Sequence, residues 1–141
     1  MAPDFRKKLR ELVARHEGFR QFPYRDINDF LTVGFGRNLD TVGIMVDEAY
    51  QLLDNDLDYH LTSLNQKLNF FNELDDSRKC VLIDMSVNLG INKLFEFVNF
   101  ITALDSGDYD KAAEEMLESK WAKQVPNRAN ELANIMRTGK L

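Results

Sequence analysis

The first residues of the chain carry apolar side chains at helical spacing. The residues that share one stripe of this predicted helix, residues 4–16, are Phe5, Leu9, Leu12, Val13 and His16. Asp4 is suited to cap the start of the helix, and Gly18 is suited to end it. Glu17 is therefore expected in the last turn.

Between residues 21 and 43 the pattern changes to that of a small β region. Pro23 breaks the helical spacing, and residues 26–29 (Asp-Ile-Asn-Asp) have the composition of a turn. Residues 31–36 (Leu-Thr-Val-Gly-Phe-Gly) then alternate with period two, which predicts a strand. Thr32 is expected on the opposite face of that strand from its apolar neighbours.

Helical spacing returns at Val46 and continues to about residue 68 without Gly or Pro, which predicts one long helix able to join two lobes. From residue 76 onward every apolar segment has helical spacing. The predicted segments are 76–89, 95–104, 108–119 and 127–136, with Gly90, Ser106-Gly107, Trp121, Pro126 and Thr138-Gly139 as the breaks. The expected fold is therefore α+β and mostly α.

Composition narrows the class of protein. The chain has 141 residues, 44% of them hydrophobic, which suits a single domain with a real core. No apolar run reaches the length of a membrane span. Cys80 is the single cysteine, so no internal disulfide can form, and its apolar neighbours predict a buried, inert thiol.

The charge distribution argues against nucleic acid as a partner. The formal net charge is -5, and the one basic stretch covers residues 6–10. The N-terminal stretch is charged throughout and lacks the apolar segment of a secretory signal.

Three residues of the N-terminal region are candidates for chemistry. Glu17 offers a carboxylic acid, Asp26 a carboxylate and Thr32 a hydroxyl, which are the groups that a hydrolase of glycosidic bonds needs. On spacing alone, structural roles explain the same residues better, as a helix-terminal Glu, a turn-forming Asp and a Thr that fills a strand.

Metal and cofactor sites are not expected. His16 and His60 are the two histidines, and with one cysteine they cannot furnish a typical transition-metal site. Asp54, Asp56 and Asp58 have the spacing of a calcium loop, but the turn glycine and the bidentate Glu of such a loop are missing.

The order of short motifs along the chain resembles the phage lysozymes of glycoside hydrolase family 24. The motifs are Glu17-Gly18, Tyr24-Arg25-Asp26, residues 31–36, Asp47-Glu48-Ala49, Asn88-Leu89-Gly90, Ser119-Lys120-Trp121, residues 126–129 (Pro-Asn-Arg-Ala) and Arg137-Thr138-Gly139. The resemblance implies a lysozyme-like fold of one domain over residues 1–141. Its parts would be a β-containing lobe at about 17–45, a linking helix at about 46–68, and a helical lobe of residues 1–16 and 69–141.

The resemblance also implies an activity. A muramidase of this family hydrolyses the β-1,4 bond between N-acetylmuramic acid and N-acetylglucosamine, with Glu17 as general acid. Asp26 and Thr32 would hold the water that attacks from the opposite face and inverts the anomeric centre. Arg128 would pair with Glu17 and orient it.

Further implied features concern the substrate and the place of action. Asn88 and Phe97, with Arg128, are candidates for binding peptidoglycan glycan strands, although helix capping, core packing and a structural ion pair would also explain them. The enzyme is expected to be a monomer without a stable membrane insertion. It would be made in the cytoplasm of a bacterial host without a signal peptide, and would lyse cells by acting on the wall from the periplasm.

Two departures and two alternatives accompany this interpretation. The connection from Arg37 to Val46 is shorter than in the best-known family member, and the chain is acidic where that enzyme is basic. A lytic transglycosylase, which needs one acid and no water, is the alternative enzyme. A wall-binding domain without activity is the alternative outside enzymes.

Overall fold

A computed structural model of the chain describes residues 2–141, and its elements follow the sequence pattern closely. The elements are α1 (Pro3–Glu17), β1 (Arg20–Arg25), β2 (Leu31–Gly34), β3 (Arg37–Asn38), α2 (Val46–Lys67), α3 (Asp76–Leu89), α4 (Ile91–Phe95), α5 (Val98–Asp105), α6 (Tyr109–Glu118), α7 (Lys120–Gln124) and α8 (Pro126–Thr138), with a 3-10 turn at Phe71–Glu73. The three strands form one antiparallel sheet in the order β1-β2-β3. The mostly helical α+β class is confirmed.

The chain divides into two compact units within α2. The sheet unit extends to Gln51, and the helical unit begins at Leu52. The long helix predicted from Val46 is confirmed as α2. The predicted lobe boundaries, with residues 1–16 assigned to the helical lobe, stay a prediction.

Helix α1 begins one residue earlier than the sequence pattern indicated. Pro3 occupies its first position, where the fixed φ of proline suits a helix, and Ala2 is the N-cap residue. The predicted capping role of Asp4 is therefore wrong, and Asp4 instead pairs with Lys8 at 2.9 Å. The predicted end is confirmed, because the N–H of Gly18 donates to Ala14 O at 2.8 Å.

The sheet contains one irregularity and one early end. The pairing of β1 with β2 shifts register between Arg20 and Tyr24, and Pro23, which has no N–H to donate, lies in that interval. Strand β2 ends at Gly34 instead of Gly36, because both glycines take positive φ values, 68° and 80°, that turn the chain away from the sheet.

The hydrophobic core lies in the helical unit. Its largest fully buried apolar side chains are Leu64, Val81, Leu82, Met85, Leu94, Phe100, Leu104, Met116 and Met136. Trp121 was predicted as a break but lies inside α7, where it is 4% exposed. None of the described helices combines the length and the apolar character that crossing a membrane requires.

The predicted burial of Cys80 is wrong, since its side chain is exposed. Val81, Leu82 and Met85 occupy the core face of α3, so Cys80 falls on the neighbouring face. That face lines a largely apolar groove of about 660 Å³ together with Leu53, Leu57, Leu61, Ile83 and Val87. A run of apolar neighbours in sequence therefore did not indicate burial of every member.

Arg78 joins the start of α3 to the end of α8. Its Nε donates to Met136 O at 2.8 Å and its Nη2 to Arg137 O at 3.1 Å, so it satisfies carbonyls that the helix end leaves free. Its Nη1 pairs with Asp75 at 2.8 Å, and the guanidinium stacks 3.6 Å from the ring centre of Tyr109. The side chain is 13% exposed.

Replacing Arg78 should destabilise the protein strongly. Arg78→Met removes the donors to two carbonyls and leaves Oδ2 of Asp75 without its ion-pair partner, so we expect a loss of about 3 kcal/mol. Thermal unfolding followed by circular dichroism should show a Tm lower by roughly 10 °C. Arg137→Met, at an exposed position of α8, is the matched control and should change the Tm little. Equal Tm losses in the two variants would contradict this role.

Candidate active site

The carboxyl group of Glu17 lies against the backbone of Gly36. A Cβ atom added to Gly36 would stand 2.6 Å from Oε2 and 2.9 Å from Cδ of Glu17, so only a glycine leaves room for this carboxyl. Glu17 is exposed at the end of α1. A carboxyl that packs against backbone on one side and is open on the other is a suitable proton donor to a bound substrate.

Asp26 is held by the turn that follows β1. Its Oδ1 accepts the backbone N–H groups of Asn28 and Phe30, each at 2.9 Å. Asp29, at φ 63°, closes the turn and donates its N–H to Asp26 O at 2.9 Å. Within residues 2–141 no donor is bonded to Oδ2 of Asp26, so one carboxylate oxygen of this half-buried residue is available.

Thr32 is 3% exposed and is the one buried residue among the described residues of the sheet unit. Its Oγ1 donates its hydrogen to Phe30 O at 2.8 Å. The same carbonyl accepts the N–H of Asp26 at 3.0 Å. Because its hydrogen is used, the hydroxyl of Thr32 can act toward a further partner only as an acceptor.

Asp40 contacts the two residues that flank the Asp26 turn, Arg25 and Leu31. Its Oδ2 accepts the N–H of Leu31 at 2.7 Å and lies 3.4 Å from Nη1 of Arg25, which also donates to Asp29 O at 3.1 Å. Asp40 was not among the residues predicted from the sequence. Its position in the turn at Leu39-Asp40, directly after β3, gave no signal beyond that of an ordinary turn residue.

Arg37 and Glu48 form the ion pair that joins the strand region to α2. Nη1 and Nη2 of Arg37 donate to the two carboxylate oxygens of Glu48 at 2.7 and 2.6 Å, a bidentate arrangement. Nη1 also donates to Gly43 O at 3.0 Å, and Glu48 accepts the N–H of Met45 at 2.8 Å. The hydrogen bonds from Arg37 and Met45 hold the pKa of Glu48 below its ordinary value.

The other three predicted residues lie in the helical unit. Asn88 is exposed on α3, and its Oδ1 accepts the indole N–H of Trp121 at 2.7 Å. This bond fixes the amide orientation, so that the NH2 group of Asn88 is the part that remains to donate. Asn88 is therefore oriented by a buried aromatic residue of α7.

Arg128 is bound to Asp84, one helical turn before Asn88 on the same face of α3. Nε of Arg128 donates to Asp84 Oδ1 at 2.6 Å, and Nη2 lies 3.4 Å from Asp84 O. The Arg128 side chain is 39% exposed. Asp84 was not singled out in the sequence. The pairing of Arg128 with Glu17 stays a prediction.

Phe97 lies apart from that face of α3. It is half-buried between α4 and α5, and its ring stands edge-on to Phe100 at 6.4 Å. Both rings line a cavity of about 310 Å³ with Glu96, Glu115 and Glu118. The predicted residues are thus divided between the units: Glu17, Asp26 and Thr32 belong to the sheet unit, and Asn88 on α3, Arg128 on α8 and Phe97 belong to the helical unit.

These features define a class of protein. A small antiparallel sheet, a glutamate at the end of the preceding helix, a turn-held aspartate and a larger helical unit are the parts of a lysozyme-like glycosidase. The chain matches the model of the phage lysozyme family over residues 14–137, and it belongs to this family of peptidoglycan-hydrolysing lysozymes.

Similar proteins occur in an amoeba and in a phage. A Dictyostelium discoideum protein named "Probable T4-type lysozyme 1" is 25% identical over 162 residues, which cover 94% of this chain and 95% of that protein. The pre-baseplate central spike protein Gp5 of Enterobacteria phage T4 is 24% identical and matches 94% of this chain, but only 28% of its own length. "Probable T4-type lysozyme 2" of Dictyostelium is 26% identical over 70% of this chain and 59% of that protein.

The contribution of the Arg37–Glu48 pair to folding stability should decrease as the pH becomes acidic. Because the pKa of Glu48 is lowered in the folded state, its contribution is fully present above its ordinary pKa of 4.5 and is lost as the pH falls below that value. The Tm difference between wild type and Glu48→Gln should therefore be largest near neutral pH and shrink in acid. Asp54→Asn, exposed on the same helix, controls for the loss of one charge. A difference that stays constant down to pH 3 would contradict the assignment.

Proposed function

We propose that the protein is an inverting muramidase that cleaves the β-1,4 bond between N-acetylmuramic acid and N-acetylglucosamine in peptidoglycan. Glu17 is the general acid, and Asp26 and Thr32 hold the attacking water. The observation that carries the proposal is the bonding of Thr32, whose hydrogen is committed to Phe30 O. The hydroxyl therefore accepts a hydrogen from water, while Asp26 keeps Oδ2 available as a second acceptor.

An attacking water needs this arrangement of two acceptors. When both of its hydrogens are held, one by Thr32 Oγ1 and one by Asp26 Oδ2, a lone pair of the water oxygen faces the anomeric carbon. The new bond forms between that oxygen and the carbon, and Asp26 takes the released proton as general base. Glu17 gives its proton to the glycosidic oxygen as the old bond breaks on the opposite face.

The helical unit supplies contacts to the glycan in this proposal. The NH2 group of Asn88 is a donor for an N-acetyl carbonyl, and its orientation is set by Trp121. Arg128, held by Asp84, offers its remaining guanidinium N–H groups to substrate oxygens. Phe97 offers an apolar surface for a sugar ring. The protein would act as a monomer on the wall in the periplasm.

Loss of the proposed acid should abolish lysis. We expect Glu17→Gln to lower the rate of turbidity loss of outer-membrane-permeabilised cells by at least about a thousandfold, because an amide cannot protonate the leaving oxygen. Glu11→Gln, an exposed position on the same helix, is the matched control and should retain wild-type activity. Full activity of Glu17→Gln would contradict the assignment and favour another acid, whereas a wild-type protein that clears no cells would favour a wall-binding domain.

The reaction products separate a hydrolase from a lytic transglycosylase. Two acceptors arranged for water favour hydrolysis, because a transglycosylase closes the muramic acid on its own hydroxyl and needs no water. Mass spectrometry of digested wall should show reducing muropeptides from wild type. Anhydro-muropeptides without reducing ends would contradict the proposal, whatever their rate of formation.

The rate of cell lysis should depend less on salt concentration than the rate of a basic lysozyme does. Up to Gln51 eight Lys and Arg balance eight Asp and Glu, so the whole excess of -5 lies in the helical unit. Long-range attraction to the anionic wall is therefore small, and screening it with salt should cost little rate. Turbidity assays over a range of NaCl concentrations should show a shallow decline, and a steep loss would contradict this account.

A further inference from the structure

We infer that Gly36 is a positioning residue for Glu17. Because Gly36 has no side chain, the carboxyl group of Glu17 packs directly against its α-carbon, and we call this contact the seat. The inference rests on the proposed role of Glu17 as general acid, and it adds the residue that places this acid. Gly36 has no side chain that could contact substrate, so any effect of this residue on the reaction comes from where it places the carboxyl of Glu17.

Two independent constraints coincide at Gly36. Its φ of 80° lies in the left-handed region, where other residues are strained. Its α-carbon also presents to Glu17 the side on which an L side chain would project, since an added Cβ would come within 2.6 Å of Oε2, 2.9 Å of Cδ and 3.3 Å of Cγ. Gly34 has a similar φ of 68°, but an added Cβ there would have no neighbour within 4 Å. Substitutions at the two glycines share the backbone strain of a positive φ, but the contact with Glu17 occurs at Gly36 and not at Gly34. Comparing them therefore separates the effect of strain from the effect of that contact.

The seat is fixed from both directions along the chain. On the N-terminal side, Gly34 pairs with Arg20, which brings the turn at residues 35–36 next to the segment that follows Glu17. On the C-terminal side, Arg37 is anchored by its bidentate bonds to Glu48 and by its bond to Gly43 O. The α-carbon of Gly36 is therefore held in place independently of the Glu17 side chain.

The contact also distinguishes the two oxygens of the acid. Oε2 is the oxygen closest to the position of an added Cβ, so Oε1 is the oxygen left for contact with a substrate. A displacement of the carboxyl by even a few tenths of an ångström changes its distance to the glycosidic oxygen. Such a change acts on the chemical step more than on substrate binding.

The test compares Gly36→Ala with Gly34→Ala in the full chain. Both add a methyl group at a positive φ, so both should lower the Tm by similar amounts. Gly36→Ala should lower kcat at least about tenfold with KM nearly unchanged, whereas Gly34→Ala should keep most of its kcat. The 13C NMR chemical shift of the Glu17 carboxyl carbon should change in Gly36→Ala and stay as in wild type in Gly34→Ala. Equal kcat losses, or an unchanged carboxyl chemical shift in Gly36→Ala, would overturn the inference.

A shorter acid supplies the rescue experiment. Glu17→Asp withdraws the carboxyl by one methylene, so the aspartate should suffer less from the added methyl group than the glutamate does. The kcat loss caused by Gly36→Ala should therefore be smaller in the Glu17→Asp background, and equal losses in the two backgrounds would contradict the seat. If Gly36→Ala alone does not fold, folding of the double variant supports the inference and its failure contradicts it.

The NMR measurement keeps this inference separate from the proposed function. If Glu17→Gln retains activity while the Glu17 carboxyl 13C chemical shift changes only in Gly36→Ala, the proposed acid is wrong and the seat stands. If Glu17→Gln is inactive and neither glycine variant changes that chemical shift, the acid stands and the seat is wrong.

Discussion

The peptide groups of Phe30 link Asp26 and Thr32, the two residues proposed to hold the attacking water. The N–H of Phe30 donates to Asp26 Oδ1, and its carbonyl accepts both the N–H of Asp26 and the hydroxyl of Thr32. One residue of the turn thereby fixes the carboxylate rotamer and uses the only hydrogen of the hydroxyl. The acceptor character of Thr32, on which the proposed mechanism depends, is thus a consequence of backbone geometry.

The sheet unit relies on such polar bonds because it has almost no buried core. Thr32 is its one buried residue within the described part of the chain, while the apolar core lies in the helical unit. Polar contacts therefore stabilise the sheet unit as apolar packing stabilises the helical unit. These contacts are the Asp26 turn, the bonds of Asp40 and the Arg37–Glu48 pair. Residues that place the catalytic groups also stabilise this part of the fold, and stability and activity should respond together to their substitution.

Sequence periodicity predicted the helices and the sheet well, because apolar spacing and Gly or Pro breaks act locally. It could not predict the short helices α4 and α7, because five residues are too few to show a helical period; α4 packs on α3, and α7 packs on α6 and α8. It wrongly predicted that Cys80 is buried. Val81 faces the core, but Cys80, one residue earlier on α3, faces the groove. Glu17, Asp26 and Thr32 were found as candidates, but Asp40, Asp84 and the seat at Gly36 depend on contacts between residues distant in sequence.

The central claim is that water, held by Asp26 and Thr32 opposite Glu17, attacks the anomeric carbon directly. Proton NMR of the first product formed from a soluble peptidoglycan glycan tests this claim most directly, because the anomeric signal is read before mutarotation. An inverting reaction on a β-linked substrate gives the α-anomer first. Early appearance of the α-anomer is the result we predict, and early appearance of the β-anomer would contradict the account.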